Sequence, residues 1–233
     1  MKTVFRILLC VAIVIMAYLC VTSITTPIKF DETRAAREKV IIQKLTDIRN
    51  VQIEYKKLKG HYCPSADQLV DFIENGKMPL VLKEGTLTDE QLKNGLTEES
   101  ALAIVRSGNA KAIAENGLEN FRRDTSFVTV YEALLAEKYT LDEAKEIVYV
   151  PFAKNKEKFM FDTASYTNTT TGNVTPLVQV GTEYDTYLGD LNHQQLVNLK
   201  DMERKLQEKK EDKFLGLRFG SVIESNNNAG NWE

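Results

Sequence analysis

An unbroken apolar run near the N-terminus constrains this chain more than any other feature. Residues 7–21 read ILLCVAIVIMAYLCV, and the apolar stretch reaches from Val4 to Ile24 with three interruptions, at Arg6, Thr22 and Ser23. As a helix this stretch measures about 31 Å at ~1.5 Å per residue, which matches the hydrocarbon core of a bilayer. The run therefore predicts a single transmembrane helix.

Two interpretations of this segment remain open. It is either an uncleaved signal-anchor or a signal peptide in which Met1–Arg6 supplies the positive charge and cleavage follows Ser23. The segment has no Ala-x-Ala site at its end, and both Cys10 and Cys20 follow leucine, where a lipoprotein signal carries a small residue. These features favour the anchor.

Positive charges lie on both sides of the segment. Lys2 and Arg6 precede it and favour a cytoplasmic N-terminus, whereas four basic residues follow it, at Lys29, Arg34, Arg37 and Lys39. The positive-inside count therefore does not decide the orientation. The signal-like form of the N-terminal segment favours a C-terminal domain outside the cytoplasm.

The rest of the chain has the composition of one domain. The 233 residues include 30 Lys+Arg and 33 Asp+Glu, and this slightly acidic balance argues against a nucleic-acid partner. Of the three cysteines, Cys63 alone lies outside the apolar segment. No disulfide within the domain is therefore expected, and Cys63 can pair only with Cys63 of another copy.

A second helix is predicted directly after the membrane. Pro27 marks the exit from the span, Asp31 is a suitable N-cap, and Gly60 is a suitable end. Apolar residues recur between them at spacings of three and four, at Ile41, Leu45, Ile48, Val51, Tyr55 and Leu58. This stripe either packs on the protein's own domain or forms a seam with partner helices.

The start of this helix, residues 31–39, is called the neck. It carries charges on all sides, at Asp31, Glu32, Arg34, Arg37, Glu38 and Lys39. Burying these charges in the protein's own core is unfavourable. We therefore predict that the neck is either a solvated stalk or a place where opposite charges meet across copies, as at the flanking positions of coiled coils.

The remaining sequence mixes helix and strand signals. Helices are predicted after a Ser65 cap, as short segments between Leu87 and Asn116, and over Leu141–Glu146 and Leu191–Lys210. Strands are predicted at Leu80–Leu82, Phe127–Tyr131, Val148–Phe152, Lys158–Phe161, Leu177–Val180 and Leu215–Phe219. A hairpin turn is predicted at Tyr166–Thr175, and the sequons at Asn168 and Asn173 indicate that it is exposed.

These signals predict an α+β fold. An N-terminal transmembrane helix continues into a long amphipathic helix, which packs on a small antiparallel sheet made mostly from residues 127 to 219. The predicted segments are a transmembrane signal-anchor at 1–26, an amphipathic stalk helix at 27–60 and an extracytoplasmic α+β domain at 61–233.

No pattern of reactive residues identifies a catalytic, cofactor-binding or metal-binding site. His61 and His193 are far apart, and neither has a second ligand at zinc spacing. Cys63 follows His61 by two residues, but a turn just after a helix is exposed and no oxyanion site is defined. The glycines form no phosphate loop, and the acidic run Glu183–Asp185 with Asp190 lacks the calcium-loop pattern. We expect no enzyme activity, no cofactor and no metal.

The first third of the chain resembles pilins and pseudopilins. In that architecture a membrane-spanning helix with a proline near its exit runs on as an amphipathic helix against a small antiparallel sheet. A tyrosine, a glycine, another tyrosine and a short helix often follow, and Tyr55, Gly60, Tyr62 and the helix around Leu69 match them here, within residues 4–75. The chain lacks the glycine cleavage site and the glutamate of prepilins, so the resemblance does not imply cleavage by prepilin peptidase.

The segments 47–55, 74–81 and 230–233 resemble membrane-anchored proteins of Bacteroidetes bacteria, a likeness that implies an envelope protein but no activity. We therefore expect a membrane-anchored, pilin-like structural or assembly subunit of a bacterial envelope machine, in the inner membrane with its C-terminal domain in the periplasm. Its expected partners are the lipid bilayer and other envelope proteins or copies of itself. The alternative is a membrane-tethered binding module for an envelope ligand or protein.

Overall fold

The structure, a computed structural model, describes residues 2–167, 172–209 and 213–233. The helices are α1 (Lys2–Lys59), α2 (Ala66–Asn75), α3 (Asp89–Lys93), α4 (Glu98–Arg106), α5 (Ala110–Glu115), α6 (Val130–Leu134), α7 (Leu141–Lys145), α8 (Tyr184–Leu188) and α9 (His193–Leu206). A 3-10 helix covers Glu146–Val148. The strands are β1 (Lys77–Glu84), β2 (Arg122–Thr129), β3 (Met160–Thr167), β4 (Val174–Glu183) and β5 (Gly216–Gly220).

Helix α1 is continuous over 58 residues and contains Pro27 in its interior. The predicted N-cap at Asp31 is therefore wrong, and the predicted continuation of the apolar helix into the amphipathic helix is confirmed. A proline inside a helix removes one backbone hydrogen bond, and three residues later Phe30 is already buried in the core, so tertiary packing holds the helix beyond the proline. Within the predicted segments 1–26 and 27–60, residues Lys2–Lys59 form one helix.

The main sheet has three antiparallel strands in the order β3–β4–β5. The second half of α1 packs against it, and the residues of the predicted stripe from Ile41 to Val51 share one buried cluster with Val178, Val180 and Phe219. The predicted α+β fold, with a long helix on a small antiparallel sheet, is thus confirmed. Leu58, the last residue of the stripe, is exposed.

Glycines allow β5 to lie close to β4. Gly220 has a φ of +72°, a backbone conformation that L side chains rarely adopt. A Cβ at Gly220 would also collide with the Val178 carbonyl oxygen, and a Cβ at Gly216 would collide with the Thr182 carbonyl oxygen. Both ends of this short strand therefore depend on the missing side chain.

A second sheet projects from the domain as a two-stranded ribbon. β1 and β2 pair antiparallel from Lys77 opposite Thr129 to Glu84 opposite Arg122. The chain between them forms α3, α4 and α5, which bury a small cluster of their own, containing Ala101, Leu118 and Phe121. We call residues 77–129 the arm. Its base contacts α2 and α6.

Several predicted strands differ from the observed ones. Phe127–Tyr131 was predicted as a strand, but Thr129 ends β2 and caps α6 through reciprocal hydrogen bonds with Glu132. Val148–Phe152 forms no strand, and Tyr149 makes only an isolated bridge to Lys158. The arm also contains β1, which precedes residue 127 and therefore lies outside residues 127 to 219, the range predicted to supply most of the sheet.

The other predicted elements occur close to their expected places. β3 and β4 form the predicted hairpin, in which Thr167 pairs with Val174. Asn173 is exposed, as predicted, whereas Asn168 lies outside the described residues. Helix α9 covers most of the predicted Leu191–Lys210 helix, whose last residue also lies outside the description.

Candidate functional site

The N-terminal part of α1 is a candidate membrane span. Between Arg6 and Lys29 the helix has no Asp, Glu, Lys, Arg or His for 22 residues, Ile7–Ile28. The apolar window of this helix has no residue buried inside the protein. Its two cysteines, Cys10 and Cys20, are exposed with it. This surface is suited to lipid rather than water, because large apolar side chains gain roughly 1.5–3 kcal/mol each on leaving water.

The span joins the domain at a polar site that we call the junction, formed by Phe30–Glu38, α8, Asp190 and Phe152. Its central group is the guanidinium of Arg37, which donates to both carboxylate oxygens of Asp190 at 2.5 and 2.8 Å. It also donates to the Tyr187 carbonyl oxygen at 2.6 Å. The pair is bidentate, a strong geometry for arginine and carboxylate, and it holds the pKa of Asp190 below its usual value.

A second polar group of the junction surrounds Glu38. The Arg34 Nε lies 2.7 Å from the Glu38 carboxylate, and the Tyr187 hydroxyl donates to the same oxygen at 3.1 Å. Burial and the nearby Glu38 carboxylate raise the pKa of Tyr187, so its hydroxyl remains a donor. The Arg34 guanidinium also lies 5.7 Å from the centre of the Tyr184 ring. Burial raises the pKa of Tyr184 to about 12.

The junction corrects the prediction for the neck. The neck was expected to be a solvated stalk or a place where charges meet across copies, because its charges could not enter the protein's own core. Three of them, on Arg34, Arg37 and Glu38, instead find partners within the chain and dock the helix on the domain. The other three, Asp31, Glu32 and Lys39, are exposed.

Farther along α1, a buried carboxylate connects the helix to the segment between α6 and α7. Asp47 is 1% exposed and accepts from Lys138 Nζ at 2.6 Å and from the Tyr139 hydroxyl at 2.9 Å. Gln43 donates to it as well, at 3.0 Å. Burial and this hydrogen bond raise the pKa of Tyr139 to about 12. Both carboxylate oxygens are occupied, so the cluster is suited to holding the helix rather than to proton transfer.

Cys63 lies in the core and not in an exposed turn, which corrects the prediction. Gln52 is buried on α1 and brackets Cys63, accepting from its backbone N–H at 2.8 Å and donating to its carbonyl oxygen at 2.9 Å. Burial raises the pKa of the Cys63 thiol, which disfavours the reactive thiolate. A disulfide between two copies at Cys63 is incompatible with this position.

The two histidines are not brought together. His61 lies beyond the end of α1, with Nδ1 3.0 Å from the Tyr62 carbonyl oxygen and its ring edge-on to Tyr55. His193 begins α9 and lines a cleft with Phe152 and Asp190, at the junction. His193 lies near Arg37, the partner of Asp190, and His61 directly follows residue 60. Residues 37 and 60 are about 34 Å apart along the direction of α1 at ~1.5 Å per residue, so the two imidazoles are far apart.

The acidic run is used in ion pairs. Asp185 accepts from Lys200 Nζ at 2.6 Å, and Asp190 is the partner of Arg37. Among the residues that the structure describes, no group of three or more His, Cys, Asp or Glu side chains has an arrangement that could hold a metal ion. A depression on the described surface lies beside β5, where Arg218 donates to Gln179 and contacts the Phe214 ring.

The sequence contained partial signals for the groups that were missed. Asp47 lies beside the apolar stripe, between Leu45 and Ile48. A charge at such a position is costly unless it has a partner. The partner residue could not be read from the sequence, since Lys138 lies 91 residues away. Arg37 and Asp190 are 153 residues apart.

Comparison of the chain with family models, with curated proteins and with solved structures finds no match.

Proposed function

We propose that this protein is a membrane-anchored structural or assembly subunit of the bacterial cell envelope, pilin-like in design. Its N-terminal segment lies in the inner membrane and its C-terminal domain in the periplasm. One observation carries the proposal: an exposed, uncharged helical segment of bilayer length runs without a break into the buried core of a folded domain. Such a helix both anchors the domain and sets its orientation.

Hydroxyl groups within the apolar segment are compatible with lipid. The Thr22 hydroxyl donates to the Tyr18 carbonyl oxygen at 3.0 Å, and the Thr25 hydroxyl donates to the Val21 carbonyl oxygen at 2.9 Å. A polar group in the hydrocarbon core must find a partner inside the protein. These hydrogen bonds supply one, so the threonines do not oppose insertion.

The described side chains support a structural role rather than a chemical one. Three buried or half-buried ionisable groups on α1, at Arg37, Glu38 and Asp47, each fix the helix to another part of the domain. The predicted resemblance to pilins points in the same direction, because there too a long N-terminal helix lies on a small antiparallel sheet. We therefore retain the expectation that the protein is not an enzyme.

Anchoring is tested by alkaline extraction of membranes from cells that make the full chain. We expect the protein to stay in the membrane pellet, whereas Val14→Arg together with Ile15→Arg releases it, since each arginine at mid-span costs about 3 kcal/mol. Val40→Arg is the matched control, because Val40 is exposed on the same helix beyond the span. Release of the unchanged protein, or a mature protein cleaved after Ser23, would contradict the anchor.

Orientation is tested with reporters fused after Glu233. Alkaline phosphatase at this position should be active and a reporter that works only in the cytoplasm should be inactive. The opposite pattern would reverse the proposed topology while leaving the anchor in place.

Assembly with copies or related subunits is tested by cysteine crosslinking in intact membranes. Arg34 and Arg37 are unsuitable positions because Arg34 lies over the Tyr184 ring and Arg37 donates to Tyr187. We therefore choose Ala36 and Lys39, which are exposed on α1. Cysteines are introduced there after Cys10 and Cys20 are replaced by alanine. A ladder of dimers and larger species is expected, and buried Cys63 serves as the internal control that does not crosslink.

The arm favours one alternative, a membrane-tethered binding module. Its ribbon has only two strands, and it exposes Phe127 to 67% and Leu80 to 52% on its surface. A free ribbon edge can accept a strand from a partner. If Phe127→Cys crosslinks to a different envelope protein while Ala36→Cys and Lys39→Cys give only monomer, the binding module replaces the assembly subunit.

A further inference from the structure

The turn at residues 151–156 is the feature that extends the proposed function. It connects the 3-10 helix to β3 as a narrow hairpin, in which Val150 N–H donates to the Glu157 carbonyl oxygen and Phe159 N–H donates to the Val148 carbonyl oxygen. Phe152 and Lys156 in this turn have φ values of +66° and +48°. A left-handed conformation is unusual for a bulky residue such as Phe152.

The hairpin points toward the membrane end of α1. Lys44 Nζ donates to the carbonyl oxygens of Glu146 and Tyr149 at 3.1 and 3.2 Å, which places the base of the hairpin beside Lys44. The Phe152 ring lies 5.1 Å from the Arg37 guanidinium carbon. Arg37 is two helical turns, about 10 Å, closer to the span than Lys44. The chain from Tyr149 to Phe152 therefore runs down α1 toward the bilayer.

The distance from the bilayer to the domain is short. The uncharged part of α1 is 22 residues long and ends at Ile28, directly before Lys29. As a continuous helix these residues measure about 33 Å, enough to cross the hydrocarbon core of ~30 Å and to end at its surface. Phe30, two residues later, is only 5% exposed. The domain thus begins at the membrane surface and is not carried above it on a stalk.

The side chains of the junction reach still closer to the lipid. Side chains on a helix tilt toward its N-terminus, which here is the direction of the membrane. The Arg37 backbone lies about 13 Å beyond Ile28, and its side chain descends from there toward a headgroup layer that is ~5–8 Å deep. This reach brings the Phe152 ring, which lies 5.1 Å from the Arg37 guanidinium carbon, within range of the headgroup layer.

The composition of the turn suits a lipid interface. Phe152 is 48% exposed although it is a large aromatic residue, and Lys154 beside it is exposed. The Lys156 amine instead turns back to the base of the hairpin, where it lies 3.3 Å from the Glu146 carboxylate. Aromatic rings favour the boundary between hydrocarbon and water, and lysine side chains extend their amines toward the headgroups. Arg37, fixed by Asp190, supports the ring from the domain side.

We propose that the 151–156 turn, led by Phe152, docks in the headgroup layer of the bilayer that α1 spans. The proposal rests on the proposed membrane anchoring and adds a second contact to it, so that the domain meets the membrane at two points. It does not depend on which side of the membrane the domain occupies.

The test uses the full chain in vesicles of phosphatidylethanolamine and phosphatidylglycerol, with or without bromine atoms near the start of the acyl chains. In a Trp232→Phe background, Phe152→Trp supplies the only indole, and Phe127→Trp on the arm supplies the matched control. We expect brominated lipid to reduce the indole emission of the Phe152→Trp protein strongly and that of the Phe127→Trp protein little. Equal emission changes in the two proteins would overturn the proposal.

Two further outcomes are decisive. A chain that does not float with the vesicles contradicts the anchoring itself, whereas a floating Phe152→Trp chain with unquenched emission contradicts only the docked turn. In a third outcome, the emission of the Phe152→Trp protein shifts to the blue as the protein concentration rises but is not quenched by brominated lipid. A second copy then covers the turn, and the proposal of docking in the headgroup layer is overturned. Should Trp232→Phe prevent folding, nitroxides on Asn155→Cys and Ser126→Cys, with Cys10→Ala and Cys20→Ala, give the same contrast through their exposure to oxygen dissolved in lipid.

Discussion

The two sheets of this protein are held by very different interiors. The three-stranded sheet shares a cluster with α1 that also takes in residues of α2, α8 and α9. Among the arm residues whose side chains the structure describes, Ala101, Leu118 and Phe121 alone are buried, with partly buried residues packed around them. Because burial of apolar surface is the main favourable term in folding, most of the stability lies where α1 meets the larger sheet.

Polar contacts follow the same division. The ion pairs of α1 with the domain involve Asp47, which is almost fully buried, and Arg37, which makes a bidentate contact. In the arm, the pair between Lys111 and Glu115 has a separation of 4.0 Å and lies on the surface. The long helix α1 thus has a fixed domain at its end, and we expect the arm to be the part of that domain that opens locally without loss of the rest.

The largest expected effect breaks the main interior. Ile48→Asp places a charge among fully buried neighbours on α1, and we expect it to lower the free energy of unfolding by about 4 kcal/mol or more. Leu92→Asp on the exposed surface of the arm is the control, with an expected change within about 0.5 kcal/mol. Denaturation of the full chain in mild detergent measures both. Equal stability of the two variants would place the stripe outside the core.

A smaller effect is expected from removing one cation. Lys138→Ala leaves the buried Asp47 carboxylate without its ion-pair partner, and we expect a loss of about 3 kcal/mol because a lone buried charge is costly. Lys111→Ala removes the corresponding partner in the arm and should cost at most ~0.5 kcal/mol. The double variant Lys138→Ala with Asp47→Asn should recover part of the stability that Lys138→Ala loses. A similar loss of stability in Lys138→Ala and Lys111→Ala would contradict the difference between the main interior and the arm.

Periodicity could predict the larger interior, and local capping could predict some of the rest. Ile41, Leu45 and Ile48 recur at helical spacing, and the same spacing places them on one face whatever lies opposite. Thr129 and Glu132 form a capping box that the strand-like run from Phe127 to Tyr131 concealed. The capping box therefore predicts the end of β2, which the β-branched residues alone do not.

The junction could not be predicted, because its contacts join distant parts of the chain. A charged neck has the same sequence whether its partners are water, another copy or residues about 150 positions away, and only the fold brings Asp190 and Tyr187 to Arg37. The burial of Cys63 likewise depends on a contact with the preceding helix, in which the Gln52 side chain bonds both backbone groups of Cys63. Local patterns carry no information about such pairings.

A third effect sharpens the comparison within the arm. Leu118→Ala should cost about 2 kcal/mol, since a buried leucine that becomes alanine leaves a cavity. We expect this loss to appear as faster amide hydrogen exchange in α4 and α5, with the main unfolding transition unchanged. Leu45→Ala on α1 is the matched variant and should lower the main transition. A drop in the main transition by Leu118→Ala would show that both interiors unfold together.

The smallest effect concerns the Tyr139 hydroxyl. Tyr139→Phe removes its hydrogen bond to Asp47, and at neutral pH we expect a loss of about 1 kcal/mol. The pKa of Tyr139 is raised from 10.0 to about 12 in the folded protein, mainly by burial. A raised pKa contributes stability that is fully present below about pH 10 and is lost as the pH rises toward about 12, because the unfolded chain releases the proton first. The unchanged protein should therefore lose its advantage over Tyr139→Phe across this window.

The arm contains no tyrosine, so exchange protection in α4 and α5 should stay the same until the main interior opens. A constant difference between the two proteins from about pH 8 to about pH 11.5 would mean that Tyr139 titrates alike in both states.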